Sequence, residues 1–215
     1  MEMRTTTFFV LFLLSAFTSY LPSSTAFDVL DINGDSVPYF SDDYFLIAHE
    51  LSINGGGGLD ITRTGNETCP LSVIQNTNSS DYGTPIKFRV DPSDFPAPGV
   101  FNYVNIQLSS DLKCSGAAPS DWTALWDDEK EKLYVKIKGY DNTVSGSFQI
   151  RRALSLGYNL LFCPSGPRPR KCTYLAVEVD DEENRRLVVT ESYENRLVVK
   201  FKKLEEAPEK SRAYD

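Results

Sequence analysis

Short segments in which apolar and polar residues alternate recur along most of this chain. Successive side chains of a β-strand point to opposite faces, so a period of two is typical of half-buried strands. Turn signals such as Asn33-Gly34 and Pro98-Gly99 separate the segments, and no window of useful length carries a helical apolar stripe. The pattern predicts a closed all-β barrel or sandwich. At least ten segments fit it, with approximate bounds 44–47, 71–74, 86–90, 104–108, 133–138, 147–150, 158–162, 175–179, 186–189 and 196–201.

A faint internal repeat within this pattern favours a barrel. Similar segments begin at Tyr44, Val104 and Tyr158, at intervals of 60 and 54 residues. Three units of that length, each with about four strands, would build a threefold pseudo-symmetric barrel of about twelve short strands. Such a barrel would use nearly the whole chain after its N-terminal segment.

The N-terminal segment, residues 1–26, has the layout of a secretory signal peptide. Arg4 precedes an apolar run from Phe8 to Phe17, and small residues ending at Ala26 follow it. A membrane-spanning helix needs about 20 apolar residues, which is longer than this run. We therefore expect cleavage after Ala26 and a mature protein, secreted or vacuolar, that has no membrane segment.

The full sequence has the composition of a folded, acidic protein. The 22 basic and 30 acidic side chains give a formal net charge of −8, and apolar residues make up 41% of the sequence. Because an acidic chain repels phosphate backbones, nucleic acid is not expected as a partner. We expect one domain over residues 27–204 and a polar, disordered tail over residues 205–215.

Four cysteines lie in the mature part of the chain: Cys69, Cys114, Cys163 and Cys172. An even number of cysteines in a secreted protein predicts two disulfides, and three pairings are open. The sequential pairing leaves the smallest loops. A zinc site is disfavoured because the chain has no CxxC pair and its single histidine, His49, lies far from every cysteine in sequence. No metal or other cofactor is expected.

Two sequons for N-glycosylation occur, at Asn66 and Asn78. Each asparagine is followed two positions later by a hydroxyl residue, Thr68 or Ser80. In a glycoprotein that passes through the secretory pathway, such sites lie on surface loops. We therefore expect both asparagines to be exposed.

Several motifs occur in a fixed order between Val29 and Leu204. They are Val29–Val37 with Tyr44-Phe45-Leu46, Thr64–Gln75, Tyr158–Pro164, and Arg185–Val189 with Leu197–Phe201. In this order, and with these cysteines, they resemble the plant Kunitz family typified by soybean trypsin inhibitor. The resemblance implies a β-trefoil, sequential disulfides and, most often, protease inhibition in plant defence.

Inhibitors of this family commonly present a rigid, exposed loop that mimics a protease substrate. By position, this loop is Asp91–Gly99, and the resemblance places the reactive residues at Asp94, Phe95, Pro96 and Ala97. Trypsin-like pockets demand Lys or Arg, and neither occurs from Val90 through Leu112. Strong trypsin inhibition is therefore not expected. Phe95 would suit a chymotrypsin-like pocket, although a proline after the scissile bond restricts the chain.

Two further features bear on the interaction loop. In the family an Asn of the first loop braces the reactive loop, but Pro38–Asp43 contains no Asn, and Asp42 or Asp43 could only accept hydrogen bonds. An alternative interaction loop is 165–170, inside the small disulfide loop, where Arg168 lies between Pro167 and Pro169 and Arg170 follows Pro169.

No catalytic constellation emerges from the sequence, so we do not expect an enzyme. The chain has no G-x-S-x-G motif, and a lone His49 beside a strand is interpreted as structural. Gly55–Gly58 is interpreted as a flexible turn, because no Gly-Lys-Ser/Thr follows it. We expect a monomeric inhibitor of a serine, cysteine or aspartic protease. The alternatives are a non-inhibitory β-trefoil that binds another ligand, and a storage or stress protein.

Overall fold

The alternating segments form β-strands, which are the only regular secondary structure in the described residues of the computed structural model. Each of the ten predicted segments coincides with a strand, and no helix long and apolar enough to cross a membrane occurs in the described ranges. The structure describes residues 29–38, 43–50, 55–90, 103–112, 114, 120–138, 142–153, 157–166 and 171–205. The strands are β1 (Tyr44–Ala48), β2 (Leu59–Thr62), β3 (Ser72–Gln75), β4 (Ile86–Val90), β5 (Tyr103–Leu108), β6 (Trp122–Asp127), β7 (Lys132–Ile137), β8 (Thr143–Val144), β9 (Gly146–Arg152), β10 (Tyr158–Pro164), β11 (Thr173–Val179), β12 (Arg185–Thr190) and β13 (Val198–Lys203).

Six of these strands close into a ring. β1 pairs with β13 and β4, β5 pairs with β4 and β9, and β10 pairs with β9 and β13. The first and last strands complete the ring, with Tyr44 opposite Lys203 and Ala48 opposite Val199. Because every ring strand has two partners, the barrel has no free edge.

Three hairpins, β2–β3, β6–β7 and β11–β12, pair with one another outside the ring. The contacts are Ile74 with Arg186, Tyr134 with Val188 and Ser72 with Lys136. Each third of the chain therefore supplies two ring strands and one hairpin, and the thirds begin with β1, β5 and β10. This arrangement is the β-trefoil, so the predicted fold class is confirmed, including the threefold repeat.

Inward-facing side chains of the ring strands form the core. The first, third and fifth residues of β1 are buried, as the period of two predicts. Phe201 on β13 packs against Phe88 and Tyr158, with ring centroids 5.5 and 5.2 Å apart. Phe148 and Phe162, on neighbouring strands, are 5.5 Å apart. Such tilted aromatic pairs add about 0.5–1.5 kcal/mol each beyond area burial, so they help to hold nearby ring strands together.

Both disulfides have the sequential pairing. Cys69 is bonded to Cys114 and Cys163 to Cys172, so none of the four cysteines is free. This confirms the pairing that the family resemblance implies. The predicted signal peptide and the tail beyond Glu205 lie outside the described residues.

Gly56, Gly57 and Gly58 are closely packed, so the interpretation of this stretch as a flexible turn is wrong for these three residues. The Gly58 amide donates to the Asp81 carbonyl at 2.7 Å, and the Gly58 carbonyl accepts the Asn76 amide at 2.9 Å. A Cβ on Gly58 would lie only 1.9 Å from the Tyr82 carbonyl oxygen. Glycine is therefore needed here for close approach of two backbones rather than for freedom of movement.

Candidate functional site

The segment that the family resemblance identifies as the reactive loop connects β4 to β5. These strands pair antiparallel from Ile86 opposite Leu108 to Val90 opposite Val104, so the connecting segment leaves the sheet from two adjacent strands. Phe88 and Val104 are buried in the core and fix both strands to the barrel. The reactive residues expected within this segment, Asp94, Phe95, Pro96 and Ala97, lie outside the described residues.

The outward faces of these two strands are polar and basic. Arg89 lies opposite Asn105, and Lys87 lies opposite Gln107, so all four side chains share the face turned away from the core. Arg89 is exposed and has no ion pair with any described residue. Gln107 donates a hydrogen bond to the Asp121 carboxylate, which joins β5 to the start of the β6 strand.

A polar cavity of about 370 Å³ lies beside this hairpin. Arg89 and Asn105 line it from the hairpin, Lys138 from the chain after β7, and Ser165 from the chain after β10. The buried Trp122 also lines it, and its Nε1 has no hydrogen-bond partner in the described part of the chain. The lining thus carries the Arg89 guanidinium and the Lys138 ammonium together with the Asp121 carboxylate, and the two cations suit an acidic side chain of a partner.

The alternative interaction loop follows β10 in the chain. Leu161 is paired with Tyr174 and Phe162 with Thr173, and the Cys163–Cys172 disulfide closes the loop that follows, with Cα atoms 4.2 Å apart. Arg168 and Arg170 lie outside the described residues. Ser165, the first residue of this loop, lines the same cavity as Arg89.

The first-loop segment contacts the strand that leads into the reactive loop. Asp43 is next to β1, and its Oδ1 lies 3.4 Å from the Lys87 Nζ on β4. Asp43 therefore faces a cation on the same hairpin that carries the loop. Asp42, the other candidate for the bracing role, lies outside the described residues.

His49 has a structural environment. It is buried, and its amide donates to the Val198 carbonyl at 2.8 Å. Burial, together with the nearby Lys200 ammonium, lowers the pKa of His49 below its ordinary value, while Glu50 opposes the shift. No group of three or more potential metal ligands occurs among the described residues. The interpretation of His49 as structural fits this environment.

The sequons lie on the surface. Asn66 and Asn78 are both exposed, as expected for acceptor asparagines, and the Asn78 Oδ1 accepts the Ser80 amide at 3.0 Å.

The two tryptophans differ in burial. Trp122 is buried and packs edge-on against Phe148 with centroids 6.1 Å apart. Trp126 has an exposed fraction of 42%.

Comparison with known proteins places this fold in one family. A family model described as trypsin and protease inhibitor, of the legume Kunitz type, matches residues 29–203. A Kunitz-type trypsin inhibitor from Glycine max is 37% identical over 213 residues, covering 94% of this chain and 97% of that protein.

Solved structures agree with this assignment. The MP-4 protein from Mucuna pruriens aligns with a TM-score of 0.70 at 26% identity, covering 83% of this chain and 99% of that one. Soybean trypsin inhibitor in its complex with porcine pancreatic trypsin aligns with a TM-score of 0.68 at 28% identity, with the same coverage of 83% and 99%. This chain therefore belongs to the legume Kunitz family of trypsin and protease inhibitors.

Proposed function

We propose that this chain is an endopeptidase inhibitor that binds its target through the segment between β4 and β5. The observation that carries the proposal is the β4–β5 hairpin, which holds both ends of that segment on strands anchored in the core. A segment held in this way loses little conformational entropy when it enters a protease cleft, and this favours tight binding. An inhibitor of this kind performs no reaction of its own.

The partner class is supported by the relatives. Soybean trypsin inhibitor, which has the same fold, has been solved bound to porcine pancreatic trypsin. A serine protease is accordingly the first class to test for this chain, and papain-like and aspartic proteases follow it. The polar cavity beside Arg89 would lie at the edge of such a complex.

The composition of the loop argues for a target other than trypsin. No Lys or Arg occurs from Val90 through Leu112, whereas Asp91 and Asp94 add two acids. The acidic base of a trypsin-like pocket would find no cationic partner in this loop. Phe95 offers an aromatic side chain for a chymotrypsin-like pocket, so we propose that preference.

We further propose a monomeric glycoprotein that is secreted or delivered to the vacuole. Support comes from the signal-peptide layout of residues 1–26, the two disulfides and the exposed sequons at Asn66 and Asn78. The closed ring leaves no barrel edge for strand exchange with a second copy.

The test is to titrate the disulfide-bonded protein against trypsin, chymotrypsin, papain and pepsin. We expect chymotrypsin to be inhibited more strongly than trypsin, and Phe95→Ala to weaken that inhibition. The matched control is the double variant Arg168→Ala with Arg170→Ala, which changes the other loop and should leave chymotrypsin inhibition intact. Phe95→Arg should raise trypsin affinity about 10- to 100-fold, because it supplies a charge-assisted pair in the pocket.

The outcomes separate the alternatives. If only the arginine double variant loses inhibition, the active surface is the small disulfide loop. Failure to inhibit any of the four proteases at micromolar concentration would overturn the proposal and favour a non-inhibitory β-trefoil.

A further inference from the structure

A second cavity, of about 440 Å³, lies between the turn before β1 and the barrel wall. The turn supplies Leu30, Asp31 and Ile32 to its lining, and the barrel supplies Arg152, Tyr158 and Lys200. Its volume lies within the usual range of small-molecule sites, which is about 300–1,000 Å³. It involves neither of the loops that are candidates for protease binding.

Hydrogen bonds fix the turn on the barrel, so the cavity is preformed. The Leu30 amide donates to the Tyr158 Oη at 2.7 Å, and the Ile32 amide donates to the Phe201 carbonyl at 2.9 Å. Tyr158 is itself held by its edge-on contact with Phe201. The two walls of the cavity are therefore joined to each other before a ligand binds.

Two aliphatic side chains of the turn remain open to solvent. The exposed fractions are 37% for Leu30 and 49% for Ile32, and both side chains line the cavity. Large apolar side chains that border a concave surface, with polar groups converging on it, are typical of a ligand site. The lining therefore favours a ligand with an apolar body.

Asp31 supplies an acceptor that lacks a donor. Its Oδ1 accepts the amides of Asn33 and Asp35, at 2.8 and 3.0 Å, and so holds the turn. The residue is only 8% exposed, and its buried Oδ2 has no hydrogen-bond partner in the described part of the chain. Since buried polar atoms nearly always have a partner, Oδ2 calls for a hydroxyl or amine donor.

Two cations flank the cavity on the barrel side. Tyr158 is paired with Arg152 on β9 and with Val199 on β13, so Arg152 and Lys200 are carried by the strands on either side of β10. Arg152 is exposed and has no ion pair with a described residue, whereas Lys200 forms an ion pair of 3.8 Å with the exposed Glu50. Two such cations in an acidic chain favour an anionic ligand group at this position.

We propose that this cavity binds a small hydroxylated carboxylate with an apolar body, of the phenolic acid class. The carboxylate binds to Arg152 and Lys200, the ring lies against Leu30 and Ile32, and the hydroxyl donates to the Asp31 Oδ2. Binding here would be a second function of the chain, independent of protease inhibition.

The test is calorimetric titration of the disulfide-bonded protein with 4-hydroxycinnamate. Two analogues each remove one group: 4-methoxycinnamate removes the hydroxyl donor, and 4-hydroxycinnamyl alcohol removes the charge. We expect 4-hydroxycinnamate to bind at least tenfold more tightly than either analogue. Absence of binding by 4-hydroxycinnamate at millimolar concentration would overturn the proposal.

Three variants test the assigned contacts. Arg152→Met should weaken 4-hydroxycinnamate binding about tenfold, whereas Arg151→Met, which changes an exposed neighbour bonded to Gln149, should leave it unchanged. Asp31→Asn keeps an oxygen for the two turn amides and puts a donor in place of Oδ2, so the preference for hydroxyl over methoxy should disappear. Unchanged far-UV circular dichroism would show that each variant is folded. Equal effects of the two arginine variants would contradict the proposed carboxylate contact. A hydroxyl preference that survives in Asp31→Asn would contradict the proposed hydroxyl contact and indicate that Oδ2 binds water only.

Discussion

Glu67 and Lys136 form an ion pair in which both side chains are almost completely buried. The Lys136 Nζ lies 2.6 Å from the Glu67 Oε1, and the exposed fractions of the two side chains are 9% and 7%. Glu67 also accepts a hydrogen bond from the Ser72 hydroxyl and, through Oε2, from the Thr64 amide at 3.0 Å. Because Glu67 lies between Asn66 and Thr68, one buried pair holds the first sequon turn on β7.

Replacing Lys136 by Met should destabilise the protein by about 3–5 kcal/mol, because it leaves the Glu67 carboxylate buried without its cation. The measurement is the free energy of unfolding from urea denaturation. The matched control is Lys130→Met, since the Lys130–Asp181 pair is exposed and should contribute nothing measurable. If Lys136→Met is as stable as Lys130→Met, solvent reaches the Glu67 carboxylate.

The two disulfides should contribute unequally. The Cys69–Cys114 bond closes a separation of 45 residues and the Cys163–Cys172 bond one of 9. In the chain-entropy model these bonds stabilise by about 4 and about 2.6 kcal/mol. We expect the serine double variant at Cys69 and Cys114 to lose more stability in urea than the double variant at Cys163 and Cys172. The reverse order would mean that the smaller loop stabilises the native state by packing.

Stability should fall as the pH is lowered through the titration of His49. Burial, with a smaller contribution from Lys200, lowers the pKa of His49 below its ordinary value of 6.5, so the unfolded chain takes up the proton at a higher pH. The contribution of His49 to stability is complete above pH 6.5 and is lost as the pH falls through the folded-state pKa. Urea midpoints at pH 7.5, 6.5 and 5.5 measure this slope.

His49→Gln provides the control for that slope. His49 is the only histidine in the chain, so its replacement should flatten the dependence over this range. Carboxylates titrate mainly below this pH range. An equal slope in both proteins would assign the effect to another group.

Gly58→Ala should destabilise the protein by about 1–3 kcal/mol, because the new Cβ would overlap the Tyr82 carbonyl oxygen and force a backbone shift. Gly166→Ala is the matched control, since a Cβ there meets nothing within 4 Å. Melting temperatures compare the two variants. If Gly58→Ala and Gly166→Ala have the same melting temperature, the backbones of Gly58 and Tyr82 can move apart without a loss of stability.

Alternation was sufficient to predict most strands, but not β2, β6 and β8. β8 has two residues and β2 has four, one of them Asp60, so neither carries a readable period. β6 has six residues, but its adjacent Ala124 and Leu125 are both buried and interrupt the alternation. Trp122 and Trp126 lie four positions apart on β6 and face the same side, yet only Trp122 is buried. Trp126 lies at the end of the hairpin, opposite Leu133 and beyond the reach of the core, which the local sequence does not reveal.

The cavities were not predictable because they are formed by residues distant in sequence. Arg89 and Lys138 meet only after the β4–β5 hairpin packs beside β6 and β7. Asp31 and Arg152 likewise approach each other only when the turn before β1 binds the barrel wall. The motif that contains Asp31 helped to indicate the family, and the family resemblance led us to expect the disulfides and the interaction loops. The resemblance did not indicate which residues surround each charged side chain.

Pairing of β1 with β13 sets the order of events during folding. Leu46 and Phe201 are opposite each other in the ring, although they come from the first and last strands. Until β13 has paired, β1 and β10 each have an unpaired backbone edge, and such edges promote aggregation. The barrel can therefore form only after the last strand is available, and folding should be slow because its final contacts are the most distant in sequence.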